Sequence, residues 1–133
     1  MEISRAGDCD VFRKVAVASR APGPGEVAIQ VKACGVNFAV VLMRMGMYPE
    51  APPAPFVPGY EVSGIVEAGG DGVTDIAVGQ RVMAAVHFGG YTTFAIAEAD
   101  KTLPLPEHMS FEEGAATLVN YMTAWVALHE MAR

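Results

Sequence analysis

The groups in this 133-residue chain that could do chemistry are two cysteines, three histidines and a scatter of polar side chains. A zinc site takes three or four Cys, His or carboxylate ligands at characteristic close spacings. Cys9 and Cys34 stand far apart, and His87, His108 and His129 have no paired spacing, so no metal site is expected. The two cysteines also make no disulfide framework and read as reduced thiols of an intracellular protein. A dinucleotide cradle needs a strand, a glycine-rich turn and a helix N-terminus facing the phosphates. Gly69-Gly70-Asp71-Gly72 follows a strand-like run but leads into Val73-Thr74-Asp75 and another turn, so it is not expected to hold phosphate. Asn37 has a carboxamide that both donates and accepts, Tyr48 has a phenol, and Asn120 and Thr123 are polar groups near a helix. Each has a plain alternative. Asn37 could cap a turn at a strand end, Tyr48 could pack on the neighbouring prolines, and Asn120 and Thr123 could cap a helix.

The elements that must position these groups follow from pattern and punctuation. Residues 27–33 alternate apolar and polar after a turn at Pro22-Gly23-Pro24-Gly25, as a half-buried strand does. Residues 62–68, 81–86 and 91–97 are three further strand candidates, the last rich in β-branched and aromatic residues. Short strands at this spacing predict a small barrel or sandwich. After Pro106 the character changes. Ser110 and Glu113 make a capping box, which predicts a helix over about 111–118. Asn120 reads as a break and a new cap, followed by a second helix over 121–131 whose apolar face, with Met122, Trp125 and Val126, should cover the barrel or a partner chain. Met43, Met45 and Met47 read as adaptable core and pocket lining.

Composition narrows the class. With 52% apolar and 18% charged residues the chain is globular, and its length suits one domain. A net charge of -6 without any Lys/Arg cluster argues against a nucleic-acid surface. No apolar run approaches the roughly 20 residues of a membrane span, and residues 1–5 lack a signal-peptide core, so a cytoplasmic location is expected.

Four segments occur in a telling order. They are Cys34-Gly35-Val36-Asn37-Phe38, then 42–49 with Gly46, Tyr48 and Pro49, then 58–66 with Pro58-Gly59-Tyr60-Glu61, then 118–125 with Asn120, Thr123 and Trp125. Pro24-Gly25-Glu26-Val27 and Val78-Gly79-Gln80-Arg81-Val82 fit the same pattern. Together they resemble the zinc-free quinone oxidoreductases of the medium-chain dehydrogenase/reductase family, most closely the vesicle amine transport protein homologue branch. That resemblance implies a mainly β fold with C-terminal helices: a GroES-like, partly open β-barrel whose helices lead toward a Rossmann domain. It implies hydride transfer from NADPH or NADH to a quinone or an α,β-unsaturated carbonyl. Asn37 would then lie beside the nicotinamide and the substrate carbonyl. Tyr48 would line the substrate pocket, and Asn120 and Thr123 would approach the nicotinamide amide and ribose.

Zinc-dependent relatives carry a Cys where this chain has Asn37 and a His where it has Tyr60, and only Glu61 of that set is kept. Their four-cysteine lobe is absent too, since Gly89-Gly90 leads straight to Tyr91. Tyr60 is read as filling the volume of a metal and Glu61 as an ion-pair partner. Relatives usually have an acid three places after the Asn. Here that place is Val40, and the loss of an acceptor from the rim of the site is expected. A Rossmann half needs about 100 further residues, so the chain is expected to lack the nucleotide-binding half, supplied in cis or in trans, and not to turn over a nicotinamide cofactor alone. Its first residues read as only the end of an opening strand. A non-catalytic binding or interaction module derived from such an enzyme is the alternative. Homo-oligomerisation stays open. A co-chaperonin would share the barrel but has no reason to carry Asn37, Tyr48 and Thr123 in this order.

Overall fold

The computed structural model describes residues 1–132. Its central strand is β3 (Glu26–Cys34), which pairs antiparallel with β4 (Glu61–Gly69) on one side and β6 (Phe94–Glu98) on the other. With β5 (Arg81–Ala85) and β7 (Thr102–Pro104) they form a five-stranded sheet in the order β6-β3-β4-β5-β7. Alternate residues point inward into one apolar cluster built from Val27, Ile29, Val62, Val66, Val82, Ala84, Val86, Ala95 and Ala97. These are the inward positions of the alternation in the sequence. The register of β3 on β4 slips between Ala28 and Ile29 and again between Val31 and Ala33. Bulges of this kind bend and twist a strand, and the sheet curls into a half-barrel. The fold is mainly β with C-terminal helices, as expected.

Several elements depart from the pattern reading. The strand expected over 91–97 begins only at Phe94. Thr92 and Thr93 turn the chain first, the Thr92 hydroxyl donating to the Phe94 carbonyl at 3.0 Å. β1 (Glu2–Ile3) and β2 (Phe12–Arg13) pair with each other, and Ile3 also bridges to Phe56. A helix missing from the pattern reading, α1 (Phe38–Arg44), follows Asn37. Its β-branched Val40-Val41 pair hides it from propensity. Packing makes it a helix, because Val40 and Met43 join Ile3 and Val11 in a second apolar cluster. Of the three alternating methionines only Met43 is core, and Met45 and Met47 are exposed.

The first C-terminal helix, α2 (Phe111–Ala115), carries the expected capping box. The Ser110 hydroxyl accepts from the Glu113 amide at 3.1 Å, and the Glu113 carboxylate accepts from the Ser110 amide at 2.7 Å. The sheet holds this helix by three devices. The Ser63 hydroxyl donates to the Phe111 carbonyl. The Arg81 guanidinium donates to the Glu107 carbonyl at 3.0 Å and lies 4.8 Å above the Phe111 ring. Gly114 sits so close to the sheet that a Cβ there would meet Leu105 Cδ1 at 2.6 Å.

The break comes at Ala116–Thr117, not at Asn120. α3 (Leu118–Val126) runs straight through Asn120 and ends in a π-helical turn, Ala127–Met131. Nor does its apolar face cover the barrel. Leu118 is buried, but Tyr121 is 71% exposed, Met122 61% and Trp125 56%. The helix is tied to the sheet through its first turn, and the residues beyond project away from it. Among the described residues no helix is long and apolar enough to cross a membrane.

Candidate functional site

Asn37 sits in the elbow between β3 and α1, at the N-cap position of the helix. A side chain there ordinarily accepts from a backbone amide of the first turn. Asn37 makes no such bond. Its Nδ2 instead donates to Glu61 Oε1 at 2.8 Å, across a buried gap. Glu61 opens β4 and is 0% exposed. Its other oxygen accepts from the Val119 amide, in the first turn of α3, at 2.8 Å. One carboxylate therefore joins the strand, the elbow and the helix. A helix N-terminus favours a negative group, since its first amides lack internal partners. The sequence expectation of an ion pair at Glu61 is corrected on this point: its partners are an amide side chain and a backbone N–H, and among the described residues no basic group lies within ion-pair distance of it.

Room for that carboxylate comes from Gly35. A Cβ there would lie 2.4 Å from Glu61 Cγ and Oε1 and 2.5 Å from the Ala115 carbonyl. The orientation of Asn37 follows from the same contact. A carboxylate offers only acceptors, so the amide nitrogen must face it and Oδ1 must face away. Asn37 Oδ1 is buried and has no partner. Such an acceptor costs about 1–3 kcal/mol unless something donates to it.

The neighbouring residue, Tyr60, reaches the other part of the site. Its ring is 6.3 Å from Tyr48, 5.4 Å from Phe88 and 6.5 Å from His87, centroid to centroid. Its hydroxyl is buried without a hydrogen-bond partner. Burial first, and the nearby Tyr48 hydroxyl second, push its pKa well above the usual phenol range. Tyr48 itself is half-buried and belongs to the second apolar cluster. Asn37 and Tyr48 flank α1, and the pair Tyr60-Glu61 meets both: its ring faces Tyr48 and its carboxylate faces Asn37.

Asn120 and Thr123 are exposed on α3. Asn120 Nδ2 donates back to the Ala116 carbonyl at 3.3 Å, one turn earlier in the chain. Neither residue touches Asn37, but the turn that starts their helix is bonded to the same carboxylate. Val40 lies behind the site, its amide donating to the Asn37 carbonyl at 3.0 Å and its side chain in the cluster that Tyr48 and Tyr60 pack against. It is 3% exposed and packs with Ile3, Val11 and Met43, so an acid at that position would be buried among apolar side chains. Glu61 and Gly35 escaped sequence reasoning as a pair. The available signal was a carboxylate opening an otherwise apolar run, 61–66.

Among the described residues no three His, Cys, Asp or Glu side chains are grouped to hold a metal ion. Both cysteines are free, and burial pushes the Cys34 thiol up. A cleft of about 490 Å³ beside Cys34 and Tyr91 is walled largely by the extended strap Lys14 to Ser19. It contains none of Asn37, Tyr48, Asn120 and Thr123, and no buried polar group without a partner faces it.

Residues 23–107 match the alcohol dehydrogenase GroES-like domain. The synaptic vesicle membrane protein VAT-1 homolog of Rattus norvegicus is 44% identical over 124 residues, covering 90% of this chain and 31% of that protein. The quinone oxidoreductase of Rattus norvegicus is 43% identical over 114 residues, covering 85% of this chain and 35% of that protein. The structure of Escherichia coli quinone oxidoreductase complexed with NADPH superimposes with a TM-score of 0.90 at 33% identity, over 98% of this chain and 40% of that one. The chain thus spans about a third of the length of these curated relatives.

Proposed function

The chain belongs to the alcohol dehydrogenase GroES-like domain family, and from that premise we propose that it is the substrate-side domain of an NAD(P)H-dependent reductase of quinones or α,β-unsaturated carbonyls. Its quinone oxidoreductase relatives support the class. The observation that carries the reading to the residues is Asn37 Oδ1, a buried acceptor aimed away from Glu61 with nothing to donate to it. An N–H or O–H of a bound ligand, such as a carboxamide or a ribose hydroxyl, would satisfy it. Asn120 and Thr123 are solvent-facing polar groups on the helix tied to the same carboxylate, and they suit a cofactor lying along α3. When bound, reduced nicotinamide supplies the hydride.

The chain's own part is to orient the acceptor and to stabilise its oxygen. Quinones and enones are electron-poor already. Positioning and a few donors aimed at the oxygen that gains negative charge are what they need. Tyr48 is assigned that donor role, with the protonated Tyr60 beside it. The donor set also fits a reaction without zinc. The Asn37 amide is engaged by Glu61 and the Tyr60 hydroxyl is enclosed by aromatic rings, neither being a group that zinc favours.

Turnover would need a nucleotide-binding domain as well. The alternative, a non-catalytic interaction module, has the exposed face of α3 in its favour.

The test is NADPH oxidation with a quinone. It would use this chain alone and this chain fused to the nucleotide-binding domain of the Escherichia coli quinone oxidoreductase. The fusion is expected to turn over, with Asn37→Ala and Tyr48→Phe each losing on the order of tenfold or more in kcat/KM. The chain alone is expected to be inactive. A fusion that binds NADPH but shows no turnover, or activity indifferent to both substitutions, would sink the catalytic reading.

A further inference from the structure

Glu61 is a fully buried carboxylate whose two oxygens meet two donors of different kinds. The Val119 amide is part of a helix and cannot turn. The Asn37 carboxamide can rotate by half a turn and exchange its donor for its acceptor. Because both Glu61 oxygens accept, only one orientation of Asn37 is allowed: Nδ2 inward at 2.8 Å and Oδ1 outward without a partner. Gly35 makes room for the carboxylate there, since a Cβ at that position would lie 2.4 Å from Glu61 Cγ and Oε1.

We propose that Glu61 is a positioning residue that fixes the polarity Asn37 presents to the site, an acceptor rather than a donor, and that ties this choice to the first turn of α3. The ligand group selected at Asn37 is therefore an N–H or O–H donor. The inference rests on the reading above only in placing a ligand at Asn37; the polarity switch itself is a property of this chain.

Three variants of the chain test it: Glu61→Gln, Asn37→Asp and the double variant. In Glu61→Gln the single side-chain oxygen must serve the immobile Val119 amide. The new NH2 group then faces Asn37, which turns over and presents its own NH2 to the site. Hydrogen exchange of the Asn37 side-chain amide, followed by NMR, should accelerate on the order of tenfold or more relative to the wild-type chain. Asn37→Asp sets two carboxylates against each other. It should lower the denaturation midpoint and expose the Val119 amide to exchange. In the double variant the introduced glutamine donates to the introduced aspartate and accepts from Val119, and the outward oxygen of the aspartate is again an acceptor. Midpoint and Val119 protection should then recover.

Should Asn37→Asp not fold at all, recovery of folding in the double variant is the same readout. Equal Asn37 side-chain exchange in wild type and Glu61→Gln overturns the proposal, and so does a double variant no better than the worse single one. NADPH titration of the fusion described above separates the two claims. If exchange and rescue behave as expected while NADPH affinity is unmoved by Glu61→Gln and Asn37→Ala, the positioning role stands and the cofactor reading of Asn37 falls.

Discussion

A carboxylate without a cation is the most demanding residue in this chain. Burying a polar group is costly unless hydrogen bonds replace those to water. Glu61 is supplied with two of them, and Gly35 supplies its space. The glycine is there for packing and not for an unusual backbone angle, since it is not among the glycines with positive φ. Gly35→Ala should therefore destabilise by about 2 kcal/mol or more, because the methyl meets both a charged side chain and a backbone carbonyl. Urea denaturation measures this, and a midpoint equal to wild type would contradict the contact. The exchange of a turn-capping role for a bond to Glu61 also explains why Asn37 was ambiguous in sequence. Its type fits a cap, and only the partner across the fold overrides that preference.

At the scale of elements, ends are fixed by side chains that reach across from elsewhere. β3 begins beside a tight polar knot. Arg20 donates to both oxygens of Glu26 at 2.5 and 2.7 Å, and the Gly23 amide donates to the same carboxylate at 2.8 Å. The Arg20 guanidinium first, and the Gly23 amide second, hold the Glu26 pKa down to about 2 from an ordinary 4.5. The stability this group contributes is present above pH 4.5 and is lost as pH falls toward 2. Glu26→Gln should thus flatten the fall in the thermal midpoint across that window and leave its behaviour above it unchanged. Glu26 is only partly buried and its partner Arg20 is exposed, so the effect will be small and weaker in high salt; an acid limb identical to wild type would show that the knot does not contribute. Helix boundaries are set in two ways. Local chemistry starts α2, through Ser110 and Glu113, whereas α3 starts where a strand carboxylate waits for its amide.

At the scale of the whole molecule, the sheet and its two apolar clusters are self-contained, while α3 presents Tyr121, Met122 and Trp125 outward. Trp125 lies tilted against His129, ring centroids 5.1 Å apart, and is 56% exposed. As the single tryptophan of the chain, it should emit as a solvated indole and be readily quenched by iodide. A blue-shifted, protected emission from the monomeric chain would mean that the helix folds back on the barrel. The mainly β class, the inward positions of four strands and the capping box of α2 were legible in the sequence, because each is written in near neighbours: alternation at period two, or a hydroxyl and a carboxylate three residues apart. The order of four short motifs also carried the family. What tertiary structure alone decided is where distant residues meet. α1 exists because Val40 and Met43 find Ile3 and Val11, the helix break falls before Leu118 because Glu61 takes the Val119 amide, and Asn37 turns its oxygen outward because the same carboxylate claims its nitrogen. These contacts join residues remote in sequence, and no local period or spacing encodes them.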